Sequence, residues 1–137
     1  MTGPTDGIGL ETAKLLASQG HSILLHGRSV AKLENAKVQV QGIAAVGNVE
    51  TYLADLSNLK DVQKFADEVA ANHASLDVLI NNAGIFRTSS PITADDFDAR
   101  FVVNTVAPYL LTRHLLSLLG GEGRVLTCLL PCKHPST

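Results

Sequence analysis

MTGPTDGIG, Met1 to Gly9, sets Gly3, Gly7 and Gly9 immediately ahead of an amphipathic run from Ile8 to Gln19 that stops at Gly20. That spacing predicts a sharp turn into a helix. Gly3 permits tight backbone geometry, Gly7 lets a pyrophosphate approach the amides, and Gly9 lets the new helix pack closely. The helix start adds unpaired N–H donors and the positive end of its dipole. Two readings stand at this point: a phosphate-binding turn, or an ordinary Gly/Pro-rich turn. The first needs a strand before the turn, and no apolar run precedes it, so the sheet is expected to lack its first strand.

Downstream the chain alternates strand and helix patterns. Ser22 to Leu25 reads as a short buried strand ending in His26-Gly27-Arg28-Ser29, with Ser29 placed to cap a helix over Val30 to Val40. Val49 to Leu53 alternates as a strand and ends at Ala54-Asp55. Ser57 or Asn58 can cap a helix to about Ala71 with a stripe of Val62, Phe65, Ala66 and Val69. Leu76 to Ile80 is a compact apolar strand closed by Asn81-Asn82-Ala83-Gly84. Thr93 with Asp96 resembles a capping arrangement for one long helix, 94–119, in which Pro108 predicts a kink. Gly120, Gly121 and Gly123 release the chain into a last strand, Val125 to Leu130. Strands alternating with helices imply a parallel sheet covered on both faces.

The composition narrows the function classes. A chain of 137 residues with 45% hydrophobic residues, 18% charged and a net charge of -2 makes one modest domain. The charge balance leaves no electrostatic footprint for nucleic acid or an anionic membrane. No run reaches the length of a membrane span, and the start lacks a signal-peptide pattern, so a cytoplasmic location is expected. Cys128, Cys132 and His134 form C-x3-C-x-H, which is one ligand short of a structural metal site, and no metal is expected.

TGPTDGIG, HGR, ADLS and NNAG, in this order, resemble the short-chain dehydrogenase/reductase family, from Thr2 to about Val125. The resemblance implies an α/β fold: a truncated Rossmann-like, doubly wound parallel sheet in three αβα layers. Residues 1–130 would form an incomplete NAD(P)-binding domain and 131–137 an irregular tail. It further implies cofactor contacts from Gly3, Thr5, Asp6, Gly7, Ile8 and Gly9, and from Asn81, Ala83 and Gly84, where small residues let the cofactor pass close to backbone. Asp55 would contact the adenine amino group, with Leu56 lining that face. Arg28 follows the second strand, where a guanidinium can pair with a 2′-phosphate, and Gly27 stands where NAD-preferring members often carry an acid. NADP is therefore expected over NAD, with Asp6 as a local objection because an acid there weakens attraction to phosphate.

The same resemblance makes Asn104 the relay position that holds a water toward a catalytic lysine. The family's Ser/Tyr/Lys machinery is not matched: Leu130 stands where the serine is expected. Tyr109-x-x-x-Arg113 sits too early, and arginine cannot exchange a proton near neutral pH. Tyr109 is expected to pack and Arg113 to lie on the surface. By family the expected function is hydride transfer between a nicotinamide and a carbonyl or alcohol, with the chain as written expected to be inactive. The alternative is a non-catalytic nucleotide-binding or interaction protein, or an unstable fragment. The apolar 94–119 helix predicts self-association or aggregation.

Overall fold

α1 (Gly7–Ser18) starts directly after the glycine-rich turn in the computed structural model, which describes residues 1–129. It buries Gly9, Leu10, Ala13 and Ala17 and ends at Gly20, whose φ of 91° suits a residue without a Cβ. β1 (Ile23–Gly27) runs further than its apolar pattern indicates, because His26 and Gly27 are buried as well. α2 (Val30–Gln41) is capped by Ser29, and β2 (Val49–Leu53) pairs with β1 in parallel, Ile23 opposite Val49 through Gly27 opposite Leu53. Asn58 caps α3 (Leu59–Asn72) by accepting from the amides of Lys60 and Asp61. β3 (Val78–Asn81) pairs in parallel with β4 (Arg124–Thr127).

The two strand pairs do not close on one another. Residues 1–3 lie between them, doing at one end what a central strand does along its length. The Met1 amine donates to the Leu24 carbonyl at 2.8 Å, and the Gly3 amide donates to the His26 carbonyl at 3.1 Å. On the other side the Thr2 amide donates to the Ile80 carbonyl at 2.9 Å. The order across the layer is therefore β2, β1, residues 1–3, β3, β4. No first strand forms ahead of α1; residues 1–3 alone bridge the two flanking pairs.

Helices cover both faces. One core joins α1 and α2 to Ile23, Leu25 and Val49; the other joins α3 to Tyr52, Leu79 and the buried row Leu111, Leu115 and Leu119. Leu25, Leu111 and Leu115 are almost wholly enclosed, each contributing roughly 1.5–3 kcal/mol by burial. The three-layer αβα reading holds, and no helix among the described residues is long and apolar enough to cross a membrane.

The single helix expected over 94–119 is not formed as such. A turn closed by an Ile92–Asp98 bridge occupies its start, with Asp96 at φ 62° and the Thr93 amide donating to the Phe97 carbonyl. The helical stretch begins only at α4 (Ala99–Phe101), because Asp98 accepts from the Arg100 amide at 2.8 Å and so takes the capping role. It then widens into a π-helical turn, Val102–Val106, before α5 (Ala107–Leu119). Pro108 consequently falls in the first turn of α5, where its ring and missing N–H are tolerated. Tyr109, expected to pack, is 61% exposed, while Arg113 is exposed as expected. β4 ends at Thr127, short of the expected Leu130; Leu130, Cys132, His134 and the proposed tail lie outside the described residues.

Candidate cofactor site

The strand order reverses its progression across residues 1–3: α1 leads to β1 on one side, and β3 follows later on the other. Such a switch point leaves a crevice at the carboxyl ends of the strands. Gly3, Asp6, Arg28, Asp55 and Asn82 all stand at that end.

Gly3 has φ 64°, and a Cβ there would lie 2.9 Å from the Cα of Ala83, so the turn and the NNAG loop approach each other as closely as backbone allows. Gly7 has φ 54° with nothing within 4 Å of where a Cβ would stand. Gly7 itself is exposed at the start of α1. A Cβ on Gly9 would run into the side chain of Asn82 and the backbone of Pro4. Ile8 is 85% exposed on the same turn, and Thr5 leans over Gly27.

The loop is held by two residues outside the sequence-predicted set. Thr2, 3% exposed, accepts through Oγ1 from the amides of Asn82 at 3.1 Å and Ala83 at 3.0 Å. Asn82 Nδ2 donates to the carbonyls of Thr2 at 3.1 Å and Gly3 at 3.2 Å. Their signal in the sequence was present: a small hydroxyl residue before the first glycine, and the second of two adjacent asparagines. Asn81, in contrast, turns away from the crevice. It donates from Nδ2 to Thr112 Oγ1 on α5 at 3.4 Å, and its buried Oδ1 has no partner among the described residues. Ala83 is half-buried and Gly84 exposed at the crevice rim.

Arg28 is exposed at the end of β1 and shares an open depression of ≈ 320 Å³ with Asp55, Asp61 and Lys64. Asp55 uses Oδ1 to accept from the amide and hydroxyl of Ser57, at 2.9 and 2.7 Å, an Asx turn that leads into α3. Leu56 does not line this face: it is 5% exposed and packed in the core with α3 and α5. Asp6 pairs at 3.7 Å with Lys32 of α2, a cation that sequence reading did not single out. Both side chains are well exposed, so the pair is weak, yet it offsets the acid's charge at the mouth of the turn.

His26 forms the floor between the two regions. It is 3% exposed, stacks on Phe65 at 4.9 Å between ring centroids, and has Nε2 2.9 Å from the Ala54 carbonyl. The Gly3 amide faces Nδ1 at 3.4 Å, so Nε2 carries the proton and donates to Ala54. Burial lowers its pKa to about 4.

Asn104 sits in the π-helical turn, and both ends of its side chain are engaged. Oδ1 accepts from the Ile85 amide and Nδ2 donates to the Ile85 carbonyl, each at 2.8 Å. It thereby ties the loop after β3 to the helix.

A parallel α/β layer with a glycine-rich turn at its switch point defines the Rossmann-like class of nucleotide-binding folds. Residues 1–128 match the family model for short chain dehydrogenases. The chain belongs to that family. An uncharacterized oxidoreductase of Emericella nidulans is 42% identical over 115 residues, which cover 82% of this chain and 43% of that protein. Retinol dehydrogenase 13 of Homo sapiens is 37% identical over 122 residues, 89% of this chain and 37% of its own. A metagenomic short-chain oxidoreductase solved in complex with NADP superposes at TM-score 0.77 with 34% identity, over 90% of this chain and 57% of that one. A short chain dehydrogenase from Burkholderia cenocepacia in complex with NADP gives TM-score 0.75 and 30% identity, over 92% and 52%. The chain thus spans less than half the length of these two curated relatives.

Proposed function

We propose that this chain binds NADP in the crevice over residues 1–9, as the cofactor-binding part of an oxidoreductase acting on a carbonyl or alcohol carbon. The observation that carries the reading is the exposed Arg28 beside a glycine turn whose Gly7 has open space where a side chain would stand. The residues present fit the group. The α1 amides beyond Gly7 would hold the pyrophosphate, Arg28 the 2′-phosphate with Lys32 nearby, and Asp55 the adenine amino group. Ala83 and Gly84 would let the ribose pass close to backbone. When bound, NADP supplies or accepts a hydride at its nicotinamide. Asn104 acts as a positioning residue for the loop after β3. Two solved relatives in complex with NADP support this cofactor over NAD.

A cytoplasmic setting and self-association through the helical stretch ending in α5 belong to the same reading. Calorimetric titration of NADP and NAD into the chain and into Arg28→Ala tests it. NADP is expected to bind more tightly than NAD, and the difference to disappear in the variant. Tight NAD binding indifferent to Arg28→Ala would reject the assignment.

A further inference from the structure

Glu50 and Tyr52 stand two residues apart on β2, so their side chains leave the same face of the strand, the one that α3 covers. α3 ends at Asn72, and its capping residue His73 is held there by its amide, which donates to the Val69 carbonyl at 3.0 Å. Three side-chain atoms meet at this place. Tyr52 Oη is 3.0 Å from His73 Nε2, His73 Nε2 is 3.1 Å from Glu50 Oε2, and Tyr52 Oη is 3.4 Å from Glu50 Oε2. Each is fixed from behind: Asn48 Nδ2 donates to Glu50 Oε1 at 2.9 Å, and the Tyr52 ring packs on Phe65. Tyr52 is buried, while Glu50 and His73 are half-buried. The cluster sits toward the amino-terminal end of β2, whereas Asp55 and the crevice follow the carboxyl-terminal end.

We propose that this triangle binds a divalent transition-metal ion of the zinc class, with His73 Nε2, Glu50 Oε2 and Tyr52 Oη as ligands and water completing the shell. Metal–ligand bonds of about 2.1 Å set neighbouring donor atoms about 3.0 Å apart in an octahedral shell and about 3.4 Å apart in a tetrahedral one. The three contacts span that range. Hydrogen bonds alone fill the triangle incompletely, because three contacts share at most two protons, one on Nε2 and one on the phenol. The bond from Asn48 orients the carboxylate as outer-shell partners do around a metal.

The surroundings favour a cation. The carbonyl end of α3, 14 residues long, lies at His73 and carries the negative end of the helix dipole. Burial above all, and then the charges of Glu50 and Glu68, raise the pKa of the Tyr52 phenol, with Asn72 opposing. The same carboxylate charges attract a metal ion. The imidazole sets the class: magnesium and calcium take oxygen ligands, whereas a nitrogen with two oxygens suits zinc. A bound ion would staple β2 to the end of α3.

The probe is zinc chloride, titrated by calorimetry into the 137-residue chain carrying Cys128→Ser and Cys132→Ser, which removes competing thiolates. One ion per chain is expected, magnesium chloride should give no binding, and the ring resonances of His73 and Tyr52 should shift. His73→Ala and Glu50→Gln should each weaken zinc by about tenfold or more, and Tyr52→Phe, which keeps the packing on Phe65, by less. Zinc should raise the thermal midpoint of the parent and leave that of His73→Ala where it was. His73→Gln, which keeps a hydrogen bond to Glu50 but no imidazole, is the second variant and should lose zinc as His73→Ala does. No binding by the parent, parent-like affinity in either His73 variant, or resonance shifts confined to His21 and His114 would each overturn the proposal.

Discussion

His26 shows how one residue's burial sets a property of the chain. Its ring lies between Phe65 and the Ala54 carbonyl, and charging it means placing a cation where only one acceptor is available. The folded pKa of about 4 lies below the ordinary value of 6.5, so the unfolded chain binds more protons between those pH values. Stability therefore rises as pH increases from 4 to 6.5, by at most about 3 kcal/mol from this group. Urea unfolding at intervals of pH should show that limb, and His26→Gln should flatten it. Lys32 gives a second residue-scale outcome: Lys32→Ala should weaken NADP by about 3- to 10-fold and NAD by less, because both lose the cation that offsets Asp6 and only NADP also loses a charge near its 2′-phosphate. Calorimetry separates the two. Neither residue stood out in the sequence. His26 reads as part of a turn until Phe65 is brought against it, and Lys32 reads as a solvated helix residue until Asp6 is opposite.

At the scale of elements, the stretch from Val103 to Leu119 explains both what was legible and what was not. Val103, Ala107, Leu111, Leu115 and Leu119 are buried at a strict spacing of four. In a straight α-helix each such step drifts by about 40°, so the row would leave the core. The wide turn at Val102–Val106 takes up part of that drift, and its cost is met by Asn104 bonding Ile85 at both ends. The apolar composition of this stretch was readable, and Pro108 marked an irregularity. The form of the irregularity was not readable, because it depends on a loop residue far back in sequence. Asn104→Leu leaves the Ile85 amide and carbonyl without partners and should cost about 1–3 kcal/mol. A matched fall in thermal midpoint, with helical content otherwise retained, is the expected result. The short strand–helix units were legible for the opposite reason: their caps, Ser29 and Asn58, and their apolar periods are local.

For the whole molecule, apolar surface and the shape of the sheet decide behaviour. Phe101, Tyr109 and Leu116 are 55%, 61% and 55% exposed along the helical stretch, and Phe97 just before it is 49% exposed. Surface of that kind favours association. Sedimentation velocity should show species heavier than a monomer at micromolar concentration, and Tyr109→Glu with Leu116→Glu should shift them toward monomer. The layout of the layers followed from alternation of patterns, but the way β1 and β3 share residues 1–3 did not, since three residues carry no period. That junction has a consequence for cooperativity. Thr2 ties residues 1–3 to β3 and the loop after it through its amide and its hydroxyl, while Met1 and Gly3 tie them to β1. The α1–α2 core packs on β1 and β2, and the α3–α5 core packs on them as well as on β3, so the β3–β4 edge is the part that can open locally while β1 and β2 stay closed. Native-state hydrogen exchange should give the Leu25 and Leu79 amides different opening free energies, and Thr2→Val should widen the gap between them.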